Sequence, residues 1–428
     1  MRPRILVTGA GAVCGAGKSP AEVWEAVAAG RTAVAPIRQW DASTWPTPLA
    51  AEIPDFDPRA LVEDRKLHKL IRRTDLFGLY AAGRAIADAG LLATRERLEP
   101  AAVEAFNDRC GVYAGSGGGN YQNQYEFFPL LSTAKGDLAA FGRELSATIN
   151  PMFLLRSLPN NVLCHVGIRY GLKGPNACVT NHAVGGALAL LEAAMALRAG
   201  EADRAVAVGH DSPIEPEAVL YYHRLGLLSR EAVRPFDLDR DGTLFGEGAG
   251  ALVFETAEAA AARGASVLGE FLGGGSASEG EALLALREDG DGLARAIALA
   301  LEDAGLDRSA VGLIVAHGNG TQASDASEAA AIRQVFGGDP PPVTAFKWAV
   351  GHLMAASAAL EAVLGLLAAA RGAVPGVPTL RRLDPACAPL AVSSAPQEAR
   401  GDVVLVLSRG FAGLNVALLF RGQAGPVA

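Results

Sequence analysis

The segment that decides the fold reads KWAVGHLMAASAALEAVLGLLAAAR, residues 347–371. From Leu353 to Ala370 it is almost entirely apolar, and it is nearly long enough to span a membrane. However, Glu361 stands in its middle, and Gly351 and His352 directly precede it. A helix that is apolar on all sides is also typical of the buried centre of a large protein. We therefore predict a central helix of a soluble fold and no membrane span.

A second helix of this kind is predicted from Gly185 to Ala199, after a short turn that carries His182. Apolar runs that predict strands covered on both faces are residues 5–8, 111–115, 204–209, 251–255, 311–316, 402–407 and 416–420. Strands that alternate with helices indicate an α/β protein. Because each part of the chain holds one all-apolar helix after a histidine turn, we predict two duplicated halves, 1–255 and 256–428.

Composition limits the function. The 428 residues are 50% hydrophobic and carry a formal charge of −8, which argues against a nucleic-acid partner. The five cysteines show neither a disulfide framework nor a zinc spacing, so we expect no metal. Residues 1–20 also lack the pattern of a signal peptide, and we therefore predict a cytoplasmic protein.

The glycines near the start of the chain are similar to a dinucleotide-binding loop. Gly9-Ala-Gly11 follows a predicted strand, but the third glycine is displaced by one position and no acidic strand end follows about 20 residues on. A tight turn beside a buried strand is the simpler interpretation. We expect no cofactor.

Three segments of the second half point to one site. They are residues 317–328, which begin HGNGT; residues 347–352, KWAVGH; and residues 408–415, SRGFAGLN. Polar groups at the ends of buried strands usually meet at one edge of an α/β sheet, where ligands bind. The imidazoles of His317 and His352 are suited to donate hydrogen bonds to a thioester oxygen or an enolate. We expect Lys347 to pair with Glu328 and to set the protonation of the two rings.

The same segments resemble the motifs of the β-ketoacyl synthases. Residues 317–328 look like their HGTxT…D…E motif, residues 347–352 like KxxxGH, and residues 408–415 like their glycine-rich gating loop. Residues 234–250, RPFDLDRDGTLFGEGAG, and residues 170–175, YGLKGP, are similar to two further family motifs. The resemblance covers nearly the whole chain in the family's order. It implies an α/β fold of the thiolase type, five layers αβαβα built from two duplicated halves.

The resemblance also implies which residues form the site. The catalytic positions would be His317, His352, Lys347 and Glu328, together with Ala183 where the nucleophile is expected. Those that contact the substrate would be Asn319, Thr321 and Phe411, the last at the gate.

One position departs from the condensing members of the family. Nine residues after Gly174 of the GP motif, where they carry the nucleophilic cysteine, this chain has Ala183, with Gly186 at the expected spacing. A methyl group cannot be acylated, so the thioester transfer that starts condensation cannot occur there. Cys178 lies in a predicted strand, too far from the helix start to replace it. Residues 181–186, NHAVGG, are more similar to the segment of chain length factors, which also lack the cysteine.

The resemblance therefore implies a non-condensing, chain-length-factor-like subunit that pairs with a cysteine-containing ketosynthase and shapes the acyl tunnel. The pathway would be type II polyketide or fatty-acid-like chain elongation, and an acyl carrier protein with its phosphopantetheine-linked acyl chain would be the second partner. Two alternatives stay open. One is a malonyl-carrier-protein decarboxylase that makes starter units with the two histidines and Lys347; the other is a condensing synthase whose natural cysteine was replaced by Ala183.

Two surface regions follow from the same resemblance. Arg65, Lys66, Lys69, Arg72 and Arg73 form a basic island in an acidic chain, at the place where ketosynthases contact acidic carrier proteins. A solvated helix face is the alternative. Residues 121–128 and 151–169 correspond to the dimer interface, and the aromatic side chains between residues 121 and 153 suit a tunnel end or an interface.

Overall fold

The computed structural model describes residues 2–117, 124 and 127–423. Its strands are β1 Ile5–Cys14, β2 Ala35–Pro36, β3 Leu49–Ala50, β4 Cys110–Ser116, β5 Asn176–Val179, β6 Arg204–Asp211, β7 Gly248–Thr256, β8 Gly269–Ser278, β9 Leu313–Val315, β10 Val343–Thr344, β11 Ala373–Val374, β12 Gln397–Glu398, β13 Val403–Gly410 and β14 Leu414–Gly422. Its α-helices are α1 Pro20–Ala28, α2 Pro58–Leu61, α3 Arg73–Asp88, α4 Leu91–Arg95, α5 Pro100–Asp108, α6 Phe128–Ala134, α7 Leu138–Thr148, α8 Phe153–Ser157, α9 Asn161–Tyr170, α10 Gly185–Arg198, α11 Pro216–Arg224, α12 Ala257–Arg263, α13 Asp291–Ala304, α14 Gln322–Phe336, α15 Lys347–Val350 and α16 Ser357–Arg371.

The large sheet contains one arrangement twice. Its ten strands run in the order β10-β9-β13-β14-β8-β1-β7-β6-β4-β5. In the first half β7 is antiparallel to both β1 and β6, and β4 lies parallel between β6 and β5. In the second half β8, β14, β13, β9 and β10 repeat these positions with the same directions. The predicted duplication is confirmed, whereas the boundary at residue 255 stays a prediction because β1 and β8 join the halves into one sheet.

Alternate residues of the strands face different layers, which explains their continuous apolar runs. In β6, Ala205 and Ala207 face a central layer, while Val206 and Val208 face an outer one. Strand β13 alternates in the same way. The central layer holds α10 and α16; α3 and α9 cover the outer face of the first half, and α13 and α14 cover that of the second. The layers are therefore αβαβα, as predicted.

The all-apolar helix of the second half is α16. Together with the turn before it, Met354–Arg371 is long and apolar enough to cross a membrane, but 89% of this stretch is buried inside the protein. Helix α10 holds the equivalent place in the first half. Both central helices are thus where the sequence predicts them.

The glycines near the start of the chain lie inside β1 and not in the tight turn predicted for them. Helix α3 packs directly on this strand, and a Cβ at Gly9 or Gly11 would collide with the carbonyl oxygen of Ala85 or Ala81. The turn prediction was wrong because these glycines allow a close approach of helix and strand and do not reverse the chain.

Candidate active site

A cavity of about 560 Å³ lies where the predicted segments meet. The predicted positions in its wall are Ala183, His317, Asn319, Thr321, His352 and Phe411. They come from the loops after β9 and β13 and from the turns before α10 and α16. The ends of separate buried strands thus converge at one place, as predicted. Lys347 and Glu328 stand behind this wall, where they contact the backbone of His317.

Ala183 stands at the start of the first central helix. It lies in a short 3₁₀ turn that leads into α10, and it is 3% exposed. An equivalent turn leads into α16, and the backbone angle φ is positive in both turns, 50° at His182 and 48° at Met354. Left-handed backbone is uncommon for residues other than glycine. The two halves therefore share a turn that begins with a strained residue, and this residue is followed by Ala183 in one half and by Ala355 in the other.

No cysteine lines the cavity among the residues that the structure describes. Cys178 lies in β5, and its Sγ donates to the carbonyl oxygen of Pro159 at 3.4 Å. Burial raises the pKa of this thiol, away from the thiolate that nucleophilic attack requires.

The two predicted imidazoles face each other in the cavity. The ring centroids of His317 and His352 are 5.2 Å apart, with the rings at 78°. The backbone N–H of Met354 donates to Nδ1 of His352 at 3.1 Å, and that of Arg409 donates to Nδ1 of His317 at 3.4 Å. Because an accepting nitrogen carries no proton, each neutral ring has its proton on Nε2. Burial, reinforced by the positive charge of Lys347, lowers the pKa of both rings well below its usual value, so both are neutral N–H donors at pH 7.

Lys347 pairs with a different carboxylate from the one predicted. Its Nζ lies 2.5 Å from Glu361 Oε1 and donates to the carbonyl oxygen of His317 at 2.6 Å. Glu328 accepts instead from the backbone N–H groups of His317 and Gly318, at 2.7 and 2.9 Å. Both glutamates therefore hold the His317 loop, one directly and one through the lysine. The expected pairing of Lys347 with Glu328 was wrong.

Sequence models of the β-ketoacyl synthase N-terminal and C-terminal domains match residues 2–260 and 268–381. The chain belongs to the β-ketoacyl synthase family. A 3-oxoacyl-[acyl-carrier-protein] synthase 2 of Synechocystis sp. is 32% identical over 431 residues, which cover 98% of each chain.

Solved ketosynthase structures share the whole fold. The ishigamide ketosynthase/chain length factor has a TM-score of 0.86 and 32% identity, covering 99% of this chain and 100% of that one. AntDE:AntF, a type II polyketide acyl-carrier protein in complex with its ketosynthase bound to the hexaketide, has a TM-score of 0.83 and 26% identity, with coverage of 99% and 100%.

The ketosynthase loop after β9 is held by its own side chains. Asn319 Oδ1 accepts from the backbone N–H of Thr321 at 3.0 Å and from its hydroxyl at 2.8 Å. Asp325 accepts from Gly320 N–H at 3.2 Å and from Phe236 N–H at 2.8 Å, which ties the loop to the family's RPFD segment. The amide N–H₂ of Asn319 then remains a donor in the cavity wall.

The predicted basic island is smaller in the structure. Arg72 is 4% exposed and pairs with the buried Asp75 at 3.4 Å, so it cannot contact a carrier protein. This part of the prediction was wrong because charge composition does not reveal which arginines are buried in ion pairs. Arg65, Lys66 and Lys69 are exposed.

The aromatic stretch is described in part. Tyr121 and Tyr125 lie outside the described residues. Phe127 packs edge-on against Phe128 and Phe153, with ring centroids 5.9 and 5.7 Å apart.

Two residues of the ketosynthase cavity were missed in the sequence. Tyr222 of α11 and His182 both line the wall beside Ala183. Tyr222 lies outside every family motif quoted above, so no local pattern marked it. His182 was noted only for its place before a central helix, although a histidine next to the nucleophile position was a usable signal.

Proposed function

We propose that this chain is the non-condensing, chain-length-factor-like subunit of a ketosynthase pair in type II polyketide or fatty-acid-like chain elongation. Ala183 is the observation that carries the proposal. The cavity, the helix start and two donor imidazoles are kept, but the atom that would accept the acyl group is replaced by a methyl group. Such a chain can serve elongation as half of a pair whose other half supplies the thiol.

One face of the protein supports a partner of the same fold. Among the described residues, strand β5 ends the large sheet, and an exposed strand edge favours pairing with another chain. The described helices α6, α7 and α8 of the same region bury none of their side chains. Leu138 of α7, Leu154 of α8 and Ile168 of α9 are 77%, 68% and 76% exposed, and exposed apolar side chains of this size favour an interaction surface. The ishigamide protein is named for a pair of this kind.

An acyl carrier protein is the proposed second partner. Asn319 and Thr321 bring polar groups to the cavity wall, where the amides of a phosphopantetheine arm would need them. Arg65, Lys66 and Lys69 would attract an acidic carrier protein. The AntDE:AntF complex joins a ketosynthase to such a carrier protein.

The pairing is tested by co-expression with a cysteine-containing ketosynthase from the same organism. We expect a one-to-one heterodimer by native mass spectrometry, and condensation of acyl and malonyl thioesters by the pair but not by this chain alone. Leu154→Glu should weaken pairing by about tenfold or more, because a charge would be buried at the interface. Leu299→Glu on α13, which is also exposed but on another face, is the matched control. A stable homodimer that ignores the ketosynthase would contradict the proposal.

A malonyl-thioester decarboxylase is the second candidate, favoured by the two neutral imidazoles. In that reaction the bond to the carboxylate breaks, CO₂ leaves, and the electron pair moves to the thioester oxygen as an enolate. The Nε2–H groups of His317 and His352 would stabilise this oxyanion, and a proton from water would complete the acetyl group.

Incubation with malonyl-carrier protein decides this question. A decarboxylase would release acetyl-carrier protein, and His317→Ala would lower the rate by about 100-fold or more. The rate should stay flat between about pH 6 and 8, because the pKa of both rings lies well below that of an ordinary histidine. No acetyl product, or a product that survives in His317→Ala, would exclude this role for the imidazoles.

A further inference from the structure

A carboxylate of the first half reaches the turn that carries His352 in the second half. Asp211 ends β6, and its Oδ2 accepts the backbone N–H of Ala355 at 3.2 Å. Its Oδ1 accepts the N–H of Ser212 at 2.8 Å. Ala355 belongs to the 3₁₀ turn that leads into α16. Asp211 lies in none of the family motifs quoted above and is not part of the cavity wall, so any effect on the site passes through this turn.

Three successive N–H groups of the turn have separate acceptors. The N–H of Leu353 donates to Ser357 Oγ at 3.0 Å. That of Met354 donates to Nδ1 of His352 at 3.1 Å, and the next N–H donates to Asp211. Ser357 Oγ also lies 3.1 Å from Nδ1 and has a proton of its own to donate to the ring. Of these three acceptors, Asp211 is the one that comes from the other half of the chain.

The middle of the turn is strained. Met354 has a φ of 48°, and such a backbone costs free energy for a residue with a side chain, so it persists where the surroundings hold it. Asp211 holds the peptide group that follows Met354, and the imidazole of His352 meets the peptide group that precedes it. Relaxation of φ would rotate one peptide group against the other. Release of the first group would therefore move the N–H of Met354 away from Nδ1.

The carboxylate of Asp211 has a fixed place and carries a charge. A Cβ built on Gly117, directly after β4, would lie 2.3 Å from Oδ2, so the carboxylate fits there because this residue has no side chain. Burial raises the pKa of Asp211 to about 6, which leaves most of the side chain ionised above pH 7. An ionised acceptor forms stronger hydrogen bonds than a neutral one.

The equivalent turn of the first half is held by a neutral group. Strand β13 has the place in the second half that β6 has in the first. Near its end, the hydroxyl of Ser408 donates to the carbonyl oxygen of Ala183 at 3.5 Å. Each half thus contacts the helix-start turn of the other half. The charged contact is made to the turn that carries His352.

We propose that Asp211 is a positioning residue for His352. It keeps Met354 in its strained conformation, so that the N–H of Met354 occupies Nδ1 and the ring proton stays on Nε2. Without Asp211, Nδ1 would also take the proton and would donate it to Ser357 Oγ. The inference goes beyond the proposed function, since it concerns the proton of one imidazole whether or not the chain pairs or decarboxylates.

NMR of the ring nitrogens, in protein labelled at its histidines, tests the proposal. A protonated and an unprotonated ring nitrogen differ in chemical shift, and comparison with His352→Gln assigns the signals of His352. At about pH 7.5 we expect the Nε2–H tautomer of the native chain to exceed the Nδ1–H tautomer by about tenfold or more. In Asp211→Ala this ratio should fall about tenfold, which is the effect of losing one hydrogen bond to Nδ1.

Two further variants complete the test. Gly117→Ala keeps Asp211 in the chain but displaces its carboxylate, so it should lower the ratio in the same way. Asp88→Ala is the matched control, because it removes another carboxylate that accepts a backbone N–H. Asp88 accepts that of Ala10 at 2.9 Å and joins α3 to β1, away from the cavity wall. The ratio should keep its native value in this control.

Three results would overturn the proposal. If the ratio is unchanged in Asp211→Ala, or in Gly117→Ala where Asp211→Ala does not fold, Asp211 supports the fold but not the imidazole. An equal fall in Asp88→Ala would show that the ratio follows stability in general. A native chain with the proton on Nδ1 would remove the premise. None of these results bears on pairing, which the heterodimer experiment measures separately.

Discussion

Replacing Ala183 with cysteine should convert a chain that forms no acyl adduct into one that an acetyl thioester acylates at about one group per chain. The new thiol would stand at the start of α10, where the helix dipole lowers a thiol pKa, and in the same cavity as two N–H donors. The acetyl group would leave the donor's sulfur for the new Sγ, and the donor would depart as a free thiol. Ala183 lines the cavity, which offers space for the added sulfur.

The native chain is a matched control for this experiment because it contains the same five natural cysteines. Intact-mass spectra of both proteins after incubation with acetyl-carrier protein should show an increment for Ala183→Cys alone. An adduct on the native chain, for example at Cys178, would contradict the non-condensing function. A variant that stays unmodified would show that position 183 does not hold the nucleophile's place.

The layers of this fold could be predicted because they depend on local patterns. An apolar run such as Val404–Leu407 needs partners on both faces, and a helix such as α16 needs them on all sides. Strand β8 was not predicted, because its glycines resemble a loop. In the structure a Cβ at Gly273 or Gly275 would collide with the backbone of α13, so these glycines are required by a neighbour that lies distant in sequence.

The site was predicted as a set of positions but not as a set of contacts. His317, His352 and Phe411 were found because each lies in a motif at the end of a strand or before a helix. The choice of Glu361 over Glu328 as the partner of Lys347 depends on how α15 and α16 fold back on each other, and no local pattern contains this information. The burial of Arg72 and the place of Tyr222 in the cavity wall likewise depend on packing between segments that lie far apart in the sequence.

Replacing Lys347 with methionine should lower the free energy of unfolding by about 3–5 kcal/mol, because it leaves an uncompensated charge in the core. The lysine is fully buried and contacts Glu361 at 2.5 Å and the carbonyl oxygen of His317 at 2.6 Å. Methionine has nearly the same length, so the loss measures charge and hydrogen bonding rather than volume. Glu361 Oε2 already lacks a hydrogen-bond partner among the described residues, and no other cation is paired with this carboxylate there.

Urea unfolding of a small set of variants identifies the buried pair as the cause. The double variant Lys347→Met with Glu361→Leu should recover most of the loss, because apolar residues often replace a buried ion pair at little cost. Arg295→Met breaks the exposed pair with Asp291 on α13 and should cost less than about 1 kcal/mol.

The loss in Lys347→Met should also shrink as the pH falls. Burial raises the pKa of Glu361 in the folded chain. Without the lysine, the folded variant therefore binds a proton at a pH at which the unfolded chain does not, and this binding stabilises the fold as the pH falls. Equal losses in the single and double variants, or a loss independent of pH, would show that the lysine acts through packing and not through its charge.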